Sequence, residues 1–388
     1  MDPSSHSPTD PTIELLKALV AIDSVNPSLV PGGAGEGEIA RAVAAELRSF
    51  GCAVEVTEVT PGRPNVVGVL AGRRPGRSLL LCGHLDTVGV TGMAAPFSPV
   101  VRDGRLYGRG AVDMKGGVAA MLGAVRLVAA QGGLAAGRLI VGAVADEEYT
   151  SLGAEALARA VAADAAVITE PTDLAVAVAH KGFSWVEVTT AGRAAHGSRP
   201  LDGRDAILRM GRVLGRLEAL DRALQAAPPH PLLGTASLHA SLIEGGRELS
   251  TYPDRCTLSL ERRTLPGEAV EAGPREVEAL LQRLVEEDGE LQAESRFLFG
   301  RPAYETPAGH PLPGLLAAAL ARAGRPARRS GVSFWTDAAV LGHAGIPTVI
   351  FGPGGVGLHA VEEYVRIDEV LTCRDVLAAV ARELCEGE

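Results

Sequence analysis

The stretch that decides the fold, residues 78–117, begins with a buried-type run, Leu79-Leu80-Leu81-Cys82-Gly83, followed by His84-Leu85-Asp86. It ends with Gly108-Arg109-Gly110-Ala111-Val112-Asp113-Met114-Lys115-Gly116-Gly117. A short apolar run between polar residues and glycine is typical of a parallel strand. In an open α/β sheet the residues just beyond such a strand's carboxyl end line the binding crevice. His84 is therefore predicted to face a site.

Two acids accompany His84. Asp86 is two positions further, so both side chains point the same way on extended backbone, and a metal-bound imidazole commonly donates its second ring N–H to a carboxylate. Asp113 precedes a strongly periodic segment, residues 114–131, which predicts a helix. A carboxylate at that point can hold one metal ion or bridge two. Taken singly, Asp113 also fits a helix N-cap and His84 a hydrogen-bonded core histidine.

Composition limits the classes of protein. The 388 residues are enough for two domains, and 37 Lys and Arg against 47 Asp and Glu leave a net charge of −10, which argues against nucleic acid or an acidic membrane as main partner. Five cysteines without a C-x-x-C pair indicate a reduced, cytoplasmic setting. Residues 1–6 are polar and lack a signal-peptide core, and no uninterrupted apolar run is long enough to span a membrane, so we expect a soluble protein.

The order of elements predicts an α/β fold with an insertion. Strands at 138–145 and 165–169, separated by a helix at 152–163, continue the pattern set by residues 78–131. From residue 182 strands with period-two alternation dominate, and the alternation of apolar strands and helices returns near the carboxyl end. We expect a mixed, mostly parallel sheet with helices on both faces in residues 1–181 and 293–388. An inserted α+β domain is expected at 182–292.

Further acids and a second histidine follow the other predicted strands. Glu147 and Glu148 are neighbours on extended backbone, so one can bind a metal while the other faces a substrate as general base. Glu170 follows the next strand, and His359 comes after strand 347–351 and a glycine-rich loop. Imidazole and carboxylate ligands suit zinc, and carboxylates also admit cobalt or manganese. The set of ligands fits two metal ions about 3.5–4 Å apart.

Each of these motifs also fits a role other than metal binding. Acidic pairs at strand ends are often only solvated, and His359 by itself is weak evidence. Residues 352–357 formally fit G-x-G-x-x-G after a strand, the dinucleotide fingerprint. A proline lies inside that turn, however, and too little chain follows for the strand that carries the ribose-binding acid, so nucleotide binding is rejected.

Five motifs in order resemble the M20 family of metallohydrolases, which includes acetylornithine deacetylase, succinyl-diaminopimelate desuccinylase, aminoacylase and glutamate carboxypeptidases. They are Gly83-His84-Leu85-Asp86-Thr87-Val88, the stretch from Tyr107 to Gly117, Asp146-Glu147-Glu148, Thr169-Glu170-Pro171-Thr172, and His359 with Glu362-Glu363 behind it. The resemblance covers most of the chain. The segment Ala179-His180-Lys181-Gly182 is similar to the acetylornithine deacetylase branch.

The resemblance implies a ligand set for two metal ions. His84, Asp113 and Glu170 would hold one metal ion. Asp113, Glu148 and His359 would hold the other, with Asp113 as the bridge. Two zinc ions are the expected cofactors, with cobalt or manganese as alternatives.

The resemblance also implies roles for neighbouring residues. Asp86 would orient His84, and Glu147 would be the general base. In the inserted domain, which mediates dimerisation in the family, His196 would help to polarise the scissile carbonyl. Arg263 resembles the arginine that grips a substrate carboxylate, although Arg262 beside it is a rival.

Some positions depart from the commonest family pattern, among them Ser250, Gly197 and the Phe334-Trp335-Thr336 segment. They flank the substrate rather than the metal ligands, so they affect specificity and leave hydrolysis intact. We expect a deacylase that cleaves a small N-acylated amino acid and forms a homodimer through the inserted domain. A metallo-exopeptidase and a catalytically inactive metal-binding relative are the alternatives, and a lid motion of the inserted domain is a further expectation.

Overall fold

The structure is a computed structural model that describes residues 10–387. The polar segment 1–6, from which the absence of a signal peptide was inferred, lies outside the described residues. Within residues 10–387 no helix combines the length and apolarity needed to cross a membrane.

Helices occur throughout the described part of the chain. They are α1 Pro11–Ala21, α2 Gly37–Ser49, α3 Gly116–Ala130, α4 Leu152–Ala160, α5 Ala206–Ala226, α6 Ala272–Glu287, α7 Leu312–Arg322, α8 Ala338–His343 and α9 Ile367–Glu386.

The strands alternate with these helices in the first and last thirds of the chain and follow one another more closely in the middle. They are β1 Ala53–Thr60, β2 Arg63–Ala71, β3 Ser78–His84, β4 Val100–Arg102, β5 Arg105–Tyr107, β6 Arg138–Val144, β7 Ala165–Ile168, β8 Val176–His180, β9 Gly182–Ala191, β10 Ser237–Gly245, β11 Arg255–Thr264, β12 Gln292–Arg301, β13 Tyr304–Glu305, β14 Arg329–Val332, β15 Thr348–Ile350, β16 Gly355–Val356 and β17 Tyr364–Arg366.

A large mixed sheet contains strand β3. Its order is β1-β2-β6-β3-β7-β15-β8, and the short strands β13 and β14 also pair with β8. The central strands β6, β3, β7 and β15 are parallel to one another, whereas β1, β2 and β8 pair antiparallel. The expected α/β fold with a mixed sheet is confirmed, and its parallel part is the centre. Strand β3 is buried along its whole length, as its apolar run predicts.

Helices pack around this sheet. Helix α3 contacts α1 and α9, and α9 contacts α7. Both α3 and α9 also contact β3 and β6. Helices α2, α4 and α8 pack on the strands β1, β2, β6, β7 and β15. A small sheet of order β16-β17-β5-β4 lies in the same part of the chain. Its β5–β17 pairing brings two sequence-distant loops together.

The start of helix α3 differs from the sequence-based expectation. The predicted helix 114–131 begins at Gly116, because the preceding turn, Ala111–Lys115, has non-helical dihedral angles at Asp113 and Met114. The peptide bond between Asp113 and Met114 is cis. Asp113 is thus held in an extended conformation in a loop and is not the N-cap of the helix.

The chain divides into two compact units. The larger one comprises residues 10–178, 306–330 and 336–387, and the smaller one comprises residues 179–305 and 331–335. The smaller unit contains an antiparallel sheet of order β10-β11-β9-β12, on which α5 and α6 bury an apolar core that includes Val186, Met210 and Leu281. The sequence-based boundary after residue 292 falls at the start of β12, which pairs with β9 and so keeps residues 293–301 in the smaller unit.

Candidate metal centre

Six of the acidic and imidazole residues singled out from the sequence come together in the larger unit. His84 is the last residue of β3, Glu147 and Glu148 follow β6, and Glu170 follows β7. Because β3, β6 and β7 are parallel, their carboxyl ends meet at one edge of the sheet. Asp113 and His359 reach this edge from loops, Asp113 from the turn before α3 and His359 from the loop after β16.

The His84 imidazole is buried, with only 1% of the residue exposed. Its Nδ1 lies 2.9 Å from the backbone oxygen of Asp86. A carbonyl can only accept, so Nδ1 carries the proton and Nε2 is the available ligand atom. That Nε2 lies 3.2 Å from Asp113 Oδ1 and 3.5 Å from Glu170 Oε1.

The His359 imidazole meets the same aspartate from the other side. Its Nε2 lies 3.3 Å from Asp113 Oδ2 and 3.1 Å from Glu148 Oε2. Asp113 therefore presents one carboxylate oxygen to His84 and the other to His359. This is the arrangement that a bridging carboxylate requires. Unlike His84, the His359 side chain is 56% exposed.

The ligand atoms form two overlapping groups. Atoms of His84, Asp113 and Glu148 lie within 4.8 Å of one another, and so do atoms of His84, Glu147 and Glu170. Glu147, expected only as a base, is thus as near to His84 and Glu170 as a ligand would be.

The carboxylates create a field that favours positive charge. Hydrogen bonds to Asp113 and Glu148 raise the pKa of His359 to about 10. Burial raises the pKa of Glu148 to about 6 and raises that of Glu147 and Glu170 well above the ordinary value. Burial acts in the same sense on Asp113, but hydrogen bonds from both imidazoles outweigh it and lower the Asp113 pKa.

The residues fit a divalent metal centre. Several carboxylates buried side by side are costly unless cations compensate them. Glu148 Oε1 is buried and has no hydrogen-bond partner in the part of the chain that the structure describes. A buried carboxylate oxygen without a donor is available to bind a metal ion. Two imidazoles combined with carboxylates form a donor set that zinc, cobalt and manganese accept.

Asp86 contacts His84 in a different way from the one expected. Its carboxylate lies 3.7 Å from His84 Nδ1, too far for a hydrogen bond, and its backbone oxygen accepts instead. The carboxylate accepts from Asn26 Nδ2 at 2.7 Å and from the backbone N–H groups of Glu147 and Glu148, each at 3.2 Å. Asp86 therefore fixes the Glu147-Glu148 turn as well as His84.

Sequence reasoning missed a buried network behind these acids. Arg63 pairs with both oxygens of Glu36 and donates to Asp146 Oδ1 at 3.0 Å. Asn26 also donates to Asp146 Oδ1, at 3.1 Å, and the Asp146 N–H donates to Glu36. Asp146 has a positive φ of 69°, which these contacts stabilise. The available signal was an arginine at the start of a strand that is otherwise buried.

His196 and Arg263, the residues predicted to contact the substrate, belong to the smaller unit. His196 is exposed, and its Nδ1 lies 2.8 Å from Ser198 Oγ. Arg263 is partly exposed, pairs with Glu261 and stacks over Phe183.

Arg262, the alternative to Arg263 as the residue that binds a substrate carboxylate, forms ion pairs within the smaller unit. Arg262 is fully buried and binds Glu276 and Glu268. A guanidinium committed to two carboxylates cannot also grip a substrate, so Arg262 is excluded from that role.

Comparisons with known proteins identify the family of this chain. The family model described as Peptidase family M20/M25/M40 matches residues 80–383. An acetylornithine deacetylase from Myxococcus xanthus is 34% identical over 340 residues, 83% of this chain and 84% of that protein. N-formyl-4-amino-5-aminomethyl-2-methylpyrimidine deformylase from Bacillus subtilis is 31% identical over 392 residues, 92% of this chain and 91% of that protein.

Solved structures share the fold. A dinuclear metal-binding peptidase of the M20 family from Bacillus subtilis superposes with a TM-score of 0.74 at 16% identity, covering 97% of this chain and 98% of that one. The family model spans the strands and loops that carry all six residues of the centre. The chain therefore belongs to peptidase family M20/M25/M40 and is a hydrolase of that family.

Proposed function

We propose that this hydrolase cleaves the amide bond of a small N-acylated amino acid, with two divalent metal ions and Glu147 as general base. The observation that carries the proposal is Asp113, whose two carboxylate oxygens face His84 and His359 at 3.2 and 3.3 Å. A carboxylate between two imidazoles, with further carboxylates around it, is the ligand pattern of a co-catalytic pair of metal ions.

The ligands divide between two metal ions. His84, Asp113 and Glu170 would hold one, and Asp113, Glu148 and His359 would hold the other. Zinc is the metal we propose, with cobalt and manganese compatible with the same donors. When bound, such ions supply Lewis acidity, which makes water more acidic and polarises a carbonyl oxygen.

Glu147 is the proposed proton carrier. Its backbone N–H is held by Asp86, whereas no hydrogen bond within residues 10–387 engages its carboxylate. A carboxylate oxygen of Glu147 would take the proton of the attacking water and deliver it to the nitrogen of the leaving amine. Asp86 would position this residue through the backbone of Glu147 and Glu148.

The relatives support a deacylase. The proteins from Myxococcus xanthus and Bacillus subtilis named above are a deacetylase and a deformylase, and both names describe removal of an acyl group from nitrogen. We therefore propose N-acetylated or N-formylated amines bearing a carboxylate as the substrate class. A metallo-exopeptidase is the second candidate, because the structural neighbour described above is a peptidase.

Two residues of the smaller unit complete the proposal for the substrate. Arg263 is the candidate for the substrate carboxylate, because Arg262 is fully buried between two glutamates. His196 is exposed on a loop and would donate to the scissile carbonyl oxygen.

The smaller unit would also mediate a homodimer. Strand β10 is an edge of its sheet and pairs with β11 alone. It exposes Leu242 by 72% and Ile243 by 56%. An exposed apolar edge strand is a template for pairing with a second copy. We retain residues 182–292 as the core of this dimerisation domain, and a cytoplasmic location stays a prediction.

The test is amine release from a panel of N-acetyl, N-formyl and N-succinyl amino acids and dipeptides. Each is assayed with the protein as purified, after chelation, and after zinc or cobalt is restored. Release that is confined to one N-acyl class, lost on chelation and restored by metal supports the proposal. Cleavage of dipeptides alone would favour the exopeptidase, and no release by metal-loaded protein would favour an inactive relative.

A further inference from the structure

Glu363 is a buried glutamate outside the proposed ligand set. Only 2% of the residue is exposed. Its Oε2 accepts from Arg109 Nη1 at 2.5 Å and from the backbone N–H of Gly110 at 2.9 Å. Its Oε1 accepts from the N–H groups of Val112 at 2.9 Å and of Asp113 at 3.2 Å. One carboxylate thus receives four donors, and three of them belong to the turn that carries Asp113.

These donors have no regular partner of their own. The turn is irregular, with Gly110 at a φ of 77° and non-helical angles at Asp113. Buried N–H groups outside helices and sheets must find an acceptor elsewhere. The Glu363 carboxylate is that acceptor for the N–H groups of Gly110, Val112 and Asp113, so it fixes the path of the backbone up to Asp113.

The same residue connects the turn to the His359 loop. Strand β17 pairs with β5 so that Tyr364 lies opposite Tyr107, and the Gly108 N–H donates to the backbone oxygen of Glu363 at 3.1 Å. Arg109 also donates to the backbone oxygen of Ala360, which follows His359, at 2.9 Å. The Arg109–Glu363 pair therefore joins the segments that present Asp113 and His359.

We propose that Glu363 is a positioning residue for the metal centre: it holds the Asp113 turn against the His359 loop so that both ligands meet at the same metal ion. This inference rests on the proposed function, since it presupposes that Asp113 and His359 are ligands. Among residues 10–387, the hydrogen bonds of the Glu363 side chain come from Arg109 and from backbone N–H groups, so Glu363 is not itself a ligand or a catalytic residue. Its effect passes through the Asp113 backbone and Arg109.

The substitution Glu363→Gln isolates the contact. An amide keeps the shape of the carboxylate but replaces one acceptor oxygen by an NH₂ group, which would face two N–H donors. Glu362 is exposed and adjacent, so Glu362→Gln is a matched control with the same change of charge. Glu363→Asp is the second variant, because it keeps the charge but draws the carboxylate back by one methylene group from Arg109 and from the N–H groups of the Asp113 turn.

Metal affinity of the apoproteins is measured by competition with a chromophoric chelator. The ligand field is read from the absorption spectrum of the cobalt-loaded proteins, and folding is followed by circular dichroism. We expect Glu363→Gln to bind one of two metal ions roughly 10–100-fold more weakly and to shift the cobalt spectrum, as loss of an outer partner of a ligand typically does. Glu362→Gln should match the wild type.

The outcomes separate this inference from the proposed function. If the wild type binds two metal ions and folded Glu363→Gln binds both equally well with an unchanged spectrum, the positioning role is refuted and the metal centre stands. If Glu363→Gln does not fold, wild-type affinity and spectrum in folded Glu363→Asp refute it. A wild-type protein that binds no metal ion would overturn the proposed function together with this inference.

Discussion

Asp113 and Glu147 differ at the level of the single residue, although both are carboxylates in one buried centre. Asp113 is engaged by two imidazoles, which lower its pKa despite burial. Within the part of the chain that the structure describes, the Glu147 carboxylate accepts no hydrogen bond, and burial raises its pKa well above the ordinary value. Burial raises the pKa of the proposed ligands Glu148 and Glu170 as well, so the difference lies in the contacts. Asp113 is held between two imidazoles, as a bridging ligand is, whereas the Glu147 carboxylate stays available for proton transfer.

The variant Glu147→Gln tests that difference. Because general base catalysis typically contributes roughly 10²–10⁴-fold, we expect a loss of kcat of that size with little change in protein stability. The metal content, measured by elemental analysis, should stay at the wild-type value, because the proposed ligands are intact. Glu58→Gln on the exposed face of β1 is the control. Loss of bound metal in Glu147→Gln would instead make Glu147 a ligand, as its distance to His84 and Glu170 permits.

At the level of elements, close packing of α3 against the end of β7 sets where the ligands stand. A Cβ atom added to Gly117 would lie 2.0 Å from the backbone oxygen of Thr169, the residue before Glu170. The glycine therefore lets the helix after Asp113 approach the strand end that carries Glu170.

We expect Gly117→Ala to destabilise the protein by at least ~1–3 kcal/mol, because the clash is with backbone that cannot rotate away. Urea denaturation followed by circular dichroism measures this change in the free energy of unfolding. The control is Gly314→Ala in α7, where an added Cβ meets nothing within 4 Å. It should be neutral or stabilising by about 0.5–1 kcal/mol. Equal effects of the two substitutions would refute the packing argument.

A second contact between elements depends on pH. Asp164, just before β7, accepts from the backbone N–H and the hydroxyl of Ser78 at the start of β3, both at 2.7 Å. The Ser78 hydrogen bond lowers the pKa of Asp164 below its ordinary 3.8. A lowered folded-state pKa means that the stabilisation is complete above the unfolded value and disappears as the pH falls through the folded value.

We therefore expect Asp164→Asn to lower the free energy of unfolding by ~1 kcal/mol near pH 6–7, and this difference to shrink below about pH 4. Urea titrations of both proteins across this range measure it. Ser78→Ala should remove most of the pH-dependent part. A difference that grows as the pH falls would contradict the assignment.

At the level of the whole molecule, the proposed roles divide between the two units. The larger unit contains all the proposed metal ligands, and the smaller one contains His196, Arg263 and the exposed edge strand β10. The proposed metal ligands thus follow the parallel strands of the large sheet. The antiparallel sheet of the smaller unit ends in the exposed edge strand β10.

Replacing Leu242 by lysine tests the proposed dimer. Charge on an edge strand opposes pairing with a second copy, so we expect Leu242→Lys to change the sedimenting species from dimer to monomer in analytical ultracentrifugation. Val56→Lys, on the exposed edge strand β1 of the larger unit, is the matched control and should leave the dimer intact. A wild-type protein that sediments as a monomer at micromolar concentration would exclude the proposal.

The sequence by itself determined the residue types at the ends of the central strands. Apolar runs such as Leu79–Cys82 are long enough to be strands, and His84, Glu147 and Glu170 each follow such a run closely. The local pattern and the chain order therefore predict both the parallel centre of the sheet and the candidate ligands. The sequence pattern does not show, however, which side chains contact one another in the folded protein.

Only the tertiary structure decided how those ligands are held. The contacts of Asp86 with the backbone of Glu147, of Arg63 with Asp146 and of Glu363 with Asp113 join residues 61, 83 and 250 positions apart. It likewise decided that β12 stays with the smaller unit and that Asp113 lies in an irregular turn. Such contacts depend on strand register and loop path, which no periodicity in the sequence records, because they are set by the packing of distant segments.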